Sequence, residues 1–114
     1  FIHCKRLLGK YVAGVVSSGS GQDKDVLDYI RYYAHTCGAQ YSGGVSSRVP
    51  ISDEKNKEAL ELGESLSKDI KDKRLFPEQM KIIESGKEYF KKIMEMRKNV
   101  WIEEYQYWKD NGWL

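Results

Sequence analysis

The stretch YVAGVVSSGSGQDKDVLDYI, residues Tyr11–Ile30, decides the fold of this chain. It opens with Val12–Val16, a short and nearly continuous apolar run that is rich in β-branched residues. Such a run is typical of a strand that is buried on both faces of a parallel sheet. A loop of Ser and Gly follows, and a helix is then predicted from Gln22 or Asp23 to about Thr36. The apolar side chains of this helix recur at helical spacing, at Val26, Ile30, Tyr33, Ala34 and Cys37.

A second strand and a second helix follow the first pair. Ala39–Ser46 predicts a strand, with two glycines that either loosen it or let another group approach its backbone closely. Ser52 or Asp53 then caps a helix that extends to about Lys73. The order strand, helix, strand, helix is typical of an α/β fold with parallel strands.

The C-terminal part of the chain differs, because no further strand pattern follows. A helix is predicted from Pro77 to about Asn99, and a last short helix over Ile102–Asp110. We expect the tryptophan-rich tail to pack on its own domain or on a partner subunit. These patterns divide the chain into a domain over residues 1–74 and a helical extension over residues 75–114. The inward side chains of the long helix are predicted to be Met80, Ile83, Phe90, Ile93 and Met94.

The composition argues against two classes of protein. Charged residues make up 32% of the 114 residues, but they nearly cancel and leave a net charge of +2. This balance argues against a nucleic-acid partner, since phosphate recognition concentrates Lys and Arg on one face. No apolar run approaches the roughly 20 residues that cross a bilayer, so we expect a cytoplasmic protein with no membrane partner. Cys4 and Cys37 are expected to remain reduced thiols.

The loop after the first strand is the main candidate for a functional site. A loop between a strand and a helix places backbone N–H groups at the carboxyl edge of the sheet, where ligands of open α/β folds bind. Glycines allow a close approach to the backbone, while Ser and Gln side chains supply hydrogen bonds. The ligand would be polar and planar, or anionic. The loop matches neither the P-loop motif nor the dinucleotide-binding motif. A tight strand-to-helix turn that binds no ligand therefore explains these residues equally well.

The segment GKYVAGVVSSGSGQDKDVLDYIRYYAHTCGAQYSGG resembles the flavodoxin-like superfamily, in particular the NADPH-dependent FMN reductase and multimeric flavodoxin group. In those proteins a Gly-Lys pair precedes a strand that ends in Thr or Ser, and a Gly-rich loop with a Gln and an acidic residue leads into a long helix. The chain matches this outline at Leu8, Gly9, Lys10, Ser17, Ser18, Gly19, Gly21, Gln22 and Asp23. The tail is similar to an EY-x-YW-x-x-x-GWL ending of several relatives, at Glu104, Tyr105, Tyr107, Trp108, Gly112, Trp113 and Leu114.

The resemblance implies a fold. The chain would be the C-terminal part of a flavodoxin-like three-layer parallel sheet, with two strands and their helices, followed by a helical C-terminal extension. FIHCKR, at residues 1–6, would be the end of the third helix of that fold, and about the first half of the domain would lie upstream. A parallel pair cannot shelter its own edges, so we expect a homo-oligomer or a missing N-terminal half to complete the sheet.

The resemblance also implies a function. The chain would be part of an FMN-binding, NAD(P)H-dependent oxidoreductase that reduces flavin or transfers electrons as flavodoxins do. Relatives hold the FMN phosphate with a loop that has no counterpart here, so the FMN site of this chain would be incomplete. No catalytic side chain is assigned, because the flavin itself carries the hydride. The residues that would line the flavin ring are Ser17, Ser18, Gly19, Ser20, Gly21 and Gln22.

The alternative to an FMN-dependent oxidoreductase is a non-enzymatic fragment that assembles with itself or another chain and binds no cofactor.

Among the other polar residues, Arg48 follows the second strand and is either a minor ligand contact or a solvated side chain. His35 and Cys37 are two positions apart on a helix and do not face each other. We therefore expect them to pack the helix rather than to share a metal.

Overall fold

The protein has a mixed α/β fold, seen in a computed structural model that describes residues 2–114. Within these residues, β1 and β2 form a two-stranded parallel sheet, with α1 as the crossover between them. The strands and helices predicted from residue 11 onward are confirmed, with ends that differ from the predicted ones by a few residues. The elements are β1 Tyr11–Ser18, α1 Asp23–Cys37, β2 Gln40–Arg48, α2 Asp53–Asp72, α3 Pro77–Arg97 and α4 Ile102–Asp110.

Glycines in the sheet allow α1 and α2 to pack closely against it. Gly14 and Gly44 are partners across the two strands, and the Leu27 side chain of α1 lies over both of them. A Cβ on Gly14 would lie 2.8 Å from Leu27 Cδ2, which is closer than side chains pack. A Cβ on Gly43 would lie 3.1 Å from Leu62 Cδ1 of α2. The glycines that weaken β2 as a sequence pattern thus serve helix packing.

The prediction that β1 is buried on both faces is wrong. Gly14 is buried, but Val15 is 66% exposed. The sheet of the described residues has two strands, so the outer edge of β1 has no neighbouring strand to cover it. The apolar run therefore forms an open edge strand.

Two glutamine side chains connect β2 to α3 and to the loop before α3. Gln79 of α3 accepts a hydrogen bond from the Tyr41 N–H at 2.6 Å and donates one to the Tyr41 carbonyl at 2.9 Å. Gln40 accepts from the Phe76 N–H at 2.7 Å and donates to the Arg74 carbonyl at 3.0 Å. The Gln79 amide thus covers part of the outer edge of β2, and the Gln40 amide ties the loop before α3 to the first residue of that strand.

The N-terminal segment does not form the end of a helix, contrary to the expectation for FIHCKR. Residues 2–9 form turns, and Phe1 lies outside the described residues. Lys5 has a left-handed backbone with φ of 47°, which cannot continue a right-handed helix. Its Nζ donates to the Thr36 carbonyl in the last turn of α1 at 2.6 Å and lies 4.8 Å from the centre of the Phe90 ring. Lys5 thus holds the segment against α1 and α3.

The C-terminal helices close over the N-terminal segment. Ile83 and Met94 of α3 are fully buried, as their spacing predicts, and Trp108 of α4 is 1% exposed. The Trp108 indole N–H donates to the His3 carbonyl at 2.6 Å, and the Trp113 ring packs edge-on against Trp108 at 5.3 Å. The tryptophan-rich tail therefore packs on its own domain.

Cys4 and Cys37 are both buried and unpaired. Burial raises the pKa of the Cys4 thiol, so this group stays protonated at neutral pH. In the part of the chain that the structure describes, no helix combines the length and the apolar character needed to cross a membrane.

Candidate functional site

The carboxyl ends of β1 and β2 lie side by side. The parallel register pairs Ser17 with Ser47 and Ser18 with Arg48. Just beyond β2, the Val49 N–H donates to the Ser18 carbonyl at 2.9 Å. The loop after β1 and the end of β2 therefore share one edge of the sheet, which is where open α/β folds bind ligands.

The six predicted ligand-binding residues differ in exposure. Ser18 is half-buried and Gly21 is buried, so these two belong to the body of the loop. The other four are exposed and present backbone or side-chain polar groups at the edge: Ser17, Gly19, Ser20 and Gln22. Gln22 adopts a left-handed backbone with φ of 66° and its side chain makes no capping bond to α1.

Ser18 holds the loop in its shape. Its hydroxyl oxygen accepts a hydrogen bond from the Gly21 N–H at 3.2 Å and donates one to Asp23 Oδ1 at 3.2 Å. Because both interactions lie within the loop, Ser18 positions its neighbours and is not free to bind a ligand through the same hydrogen.

The two glycines of the loop have different roles. Gly21 has a φ of 102°, and a Cβ there would lie 2.8 Å from Arg48 Nη2, so a side chain would meet both backbone strain and the guanidinium group. A Cβ on Gly19 would meet no atom within 4 Å. Gly21 therefore shapes the loop, whereas Gly19 leaves an open surface beside it.

Asp23 and Arg48 give the edge one negative and one positive charge. Several effects lower the pKa of the Asp23 carboxyl: first a hydrogen bond from Ser46, then one from its own backbone N–H, then the Ser18 hydroxyl and the charge of Arg48. Asp23 is therefore ionised at neutral pH. A fixed carboxylate would repel an anion at this point, so the edge suits a neutral polar ring better than a phosphate.

Sequence reasoning misses Asp23 as a site residue and predicts Arg48 only as a minor contact. The structure places Arg48 beside Gly21, and Ser18 joins Gly21 to Asp23 through its hydroxyl. The signal for this grouping is present in the sequence, because Arg48 lies at the carboxyl end of β2 and Asp23 begins the helix that follows β1. Its use requires the register of β1 against β2, which the sequence pattern does not supply.

The His and Cys residues of α1 lie at the opposite end of that helix from the loop. His35 Nε2 is 2.8 Å from Gln79 Oε1, and Cys37 is fully buried. Within residues 2–114, no three His, Cys, Asp or Glu side chains are grouped so that they could hold a metal ion. The contact of His35 with Gln79 and the burial of Cys37 show that both residues pack α1 against its neighbours.

Two cavities lie away from the carboxyl edge of the sheet. A groove of about 990 Å³ between α1 and α3 is lined mainly by apolar and aromatic side chains such as Tyr32 and Tyr89. A cavity of about 530 Å³ lies at the amino edge of the sheet, beside Tyr11 and Ile70. Neither contains a residue of the loop over residues 17–22. The candidate site is therefore separate from both.

The chain was compared with protein-family models, with curated proteins and with solved structures. None of the three comparisons found a match. The structure itself shows an α/β fold, with a two-stranded parallel sheet and four helices in the described residues.

Acid should lower the free energy of unfolding by protonating Asp23. The pKa of Asp23 in the folded state lies below its usual value of 3.8, so the unfolded chain binds more protons in this range. The free energy of unfolding then falls as the pH drops below 3.8. We expect Asp23→Asn to remove this part of the pH dependence and Ser46→Ala to reduce it. Urea unfolding followed by circular dichroism across this pH range tests the expectation, and an unchanged slope in Asp23→Asn would refute it.

Proposed function

We propose that the carboxyl edge of the β1–β2 pair binds the ring of a flavin, and that the chain contributes this edge to an FMN-dependent NAD(P)H oxidoreductase with a flavodoxin-like sheet. The observation that carries the proposal is the open loop at Gly19 beside the charged pair of Asp23 and Arg48. The resemblance of residues 9–44 to that superfamily supports the choice of flavin.

The chemistry of the edge suits a flavin ring. The pyrimidine part of the ring system is planar and neutral, and it alternates an N–H donor with carbonyl acceptors. Asp23 supplies a carboxylate acceptor, while Arg48 and the exposed Ser20 hydroxyl supply donors. Gly19 lets the ring approach the backbone without contact to a side chain.

The role of these residues is to bind and orient. A bound flavin supplies hydride and electron transfer, and the protein determines where the ring lies and which groups bond to it. The Asp23 carboxylate disfavours a phosphate at the same place, so the loop would contact the ring end of FMN. We therefore expect riboflavin, which lacks the phosphate, to bind this edge about as well as FMN does.

A flavin titration tests the proposal. Flavin fluorescence should be quenched in a saturable manner by the wild-type protein, and Gly19→Val should weaken binding by about tenfold or more, because its side chain would occupy the space of the ring. Gly63→Val is the matched control, since a Cβ on Gly63 of α2 also meets no atom within 4 Å. Circular dichroism should show both variants folded. Equal affinity of the two variants, or no quenching by the wild type, would reject the proposal.

A second candidate function is assembly without a cofactor. The observation in its favour is the exposure of large apolar and aromatic side chains, with Tyr29 67% and Tyr89 62% exposed. Such surfaces are typical of interfaces. A protein that associates but leaves flavin fluorescence unchanged would favour this function over the first.

A further inference from the structure

We propose that the groove between α1 and α3 binds a small aromatic carboxylate, with the Lys5 ammonium group as the partner of the carboxylate. This site is separate from the carboxyl edge of the sheet, and the proposal does not depend on flavin binding. It follows from the charge, the aromatic walls and the volume of the groove.

Lys5 places a buried ammonium group at the bottom of the groove. Its side chain lines the groove, although the residue is only 2% exposed. The Lys5 Nζ donates to the Thr36 carbonyl of α1 at 2.6 Å and lies 4.8 Å from the centre of the Phe90 ring of α3. A Cβ on Gly86 of α3 would lie 3.2 Å from this Nζ, so the glycine leaves room for the ammonium group between the two helices.

The charge of Lys5 has no opposite partner in residues 2–114. No carboxylate of these residues lies within 4.0 Å of its Nζ. Two carboxylates line the groove, but each pairs with another cation at 3.2 Å, Asp28 with Arg31 and Glu78 with Lys81. Burial lowers the pKa of Lys5, because it disfavours the charged form. Buried charges in proteins are normally paired, so the groove favours an anionic ligand.

The walls of the groove favour an aromatic ligand. Tyr32 of α1 is 68% exposed and Tyr89 of α3 is 62% exposed, so both sides of the groove present open aromatic surface. A planar ring can stack on such side chains or pack edge-on against them. The volume of about 990 Å³ falls within the range of roughly 300–1,000 Å³ that is typical of small-molecule sites.

The charge balance favours a carboxylate over a phosphate. A carboxylate carries one negative charge, which the single ammonium group of Lys5 matches. A phosphate monoester carries a charge of about −1.5 to −2 at neutral pH. Part of that charge would remain unpaired among aromatic side chains and close to the carboxylates of Asp28 and Glu78.

Further strands in the sheet would leave the groove open. A strand added to the sheet would join at the free outer edge of β1. The groove lies on the β2 side instead, because it is lined by Tyr41 of β2 and by Gln79, whose side chain bonds to Tyr41. The groove is therefore compatible with the larger sheet of the proposed function.

Amide chemical-shift titrations with two matched probes test the proposal. Naphthalene-2-carboxylate carries the charge, and naphthalene-2-carboxamide has the same ring system without it. With the wild type, the carboxylate should give saturable shifts at groove residues such as Tyr32 and Tyr89, and it should bind about tenfold more tightly than the carboxamide. Lys5→Met removes the charge but keeps most of the side-chain length, so the two probes should then bind equally. Lys92→Met should keep the preference, because Lys92 of α3 is exposed and does not line the groove.

Four results bear on whether the proposal fails. Equal affinity of the two probes for the wild type, or no saturable shift in the groove, would overturn it. A folded Lys5→Met variant that still prefers the carboxylate would overturn it as well, because another cation would then hold the probe. Groove signals that shift when the free protein is diluted would mean that a second copy occupies the groove, which also contradicts the proposal. If Lys5→Met fails to fold, the comparison of the two probes with the wild type decides the result.

Discussion

Replacing Trp108 with Ala should lower the free energy of unfolding by about 3–5 kcal/mol, the range for removing a large aromatic side chain from a core. Trp108 is 1% exposed, so its loss would leave a cavity between α4 and the N-terminal segment. The substitution also removes the hydrogen bond to the His3 carbonyl and the edge-on contact with Trp113. Urea unfolding followed by far-ultraviolet circular dichroism measures the change without relying on tryptophan fluorescence.

Two further variants separate the contributions at Trp108. Trp108→Phe keeps most of the buried volume but leaves the His3 carbonyl unpaired, so it should cost about 1–3 kcal/mol. Tyr89→Ala is the surface control, because Tyr89 is 62% exposed and its loss should change stability by about 0.5 kcal/mol or less. A Trp108→Ala variant as stable as the Tyr89→Ala control would contradict the packing of the tail described here.

Replacing Gln79 with Leu should cost about 1–3 kcal/mol, because it leaves polar groups of Tyr41 without partners. The Gln79 amide bonds to both the N–H and the C=O of Tyr41, and its oxygen also lies 2.8 Å from His35 Nε2. A leucine side chain is of similar size but can replace none of these interactions. The same urea unfolding experiment measures the loss.

Gln106→Leu is the matched control for this change. Gln106 of α4 is exposed and bonds only to the Asp110 carboxylate one turn later, at 2.7 Å. Its replacement should alter stability by about 0.5 kcal/mol or less. Equal losses in the two variants would mean that Gln79 does not anchor α3 to the edge of β2.

The positions of the helices and strands can be predicted from the sequence because their signals are local. Ser52 caps α2 by accepting a hydrogen bond from the Lys55 N–H at 3.2 Å. Pro77 stands at the first position of α3. Gly38 ends α1 in a left-handed conformation with φ of 97°. Each of these features acts within a few residues of the chain, so the sequence pattern contains it.

Burial is harder to predict, because it depends on what covers a face. The spacing in α1 places Val26 and Tyr33 on the apolar stripe with Ala34 and Cys37, yet Val26 is 46% exposed and Tyr33 is 43% exposed. Helical periodicity shows which side chains share a face but not how far the neighbouring element extends over it. The same reasoning explains the wrong prediction that both faces of β1 are buried.

Long-range contacts account for the parts of the site that the sequence does not reveal. Arg48 reaches Gly21 only because β1 and β2 are parallel and in a particular register. Lys5 bonds to Thr36, which is 31 positions away, and no local sequence pattern contains such a contact. The small-residue loop, in contrast, is visible in the sequence, because its glycines and serines are contiguous.

The most direct measurement of the central claim is an amide chemical-shift titration of the protein with riboflavin. Binding at the carboxyl edge predicts saturable shifts that cluster at residues 17–23 and 46–48, with little change in the groove between α1 and α3. Shifts confined to that groove, or no saturable shift anywhere, would contradict the assignment of the flavin ring to the carboxyl edge.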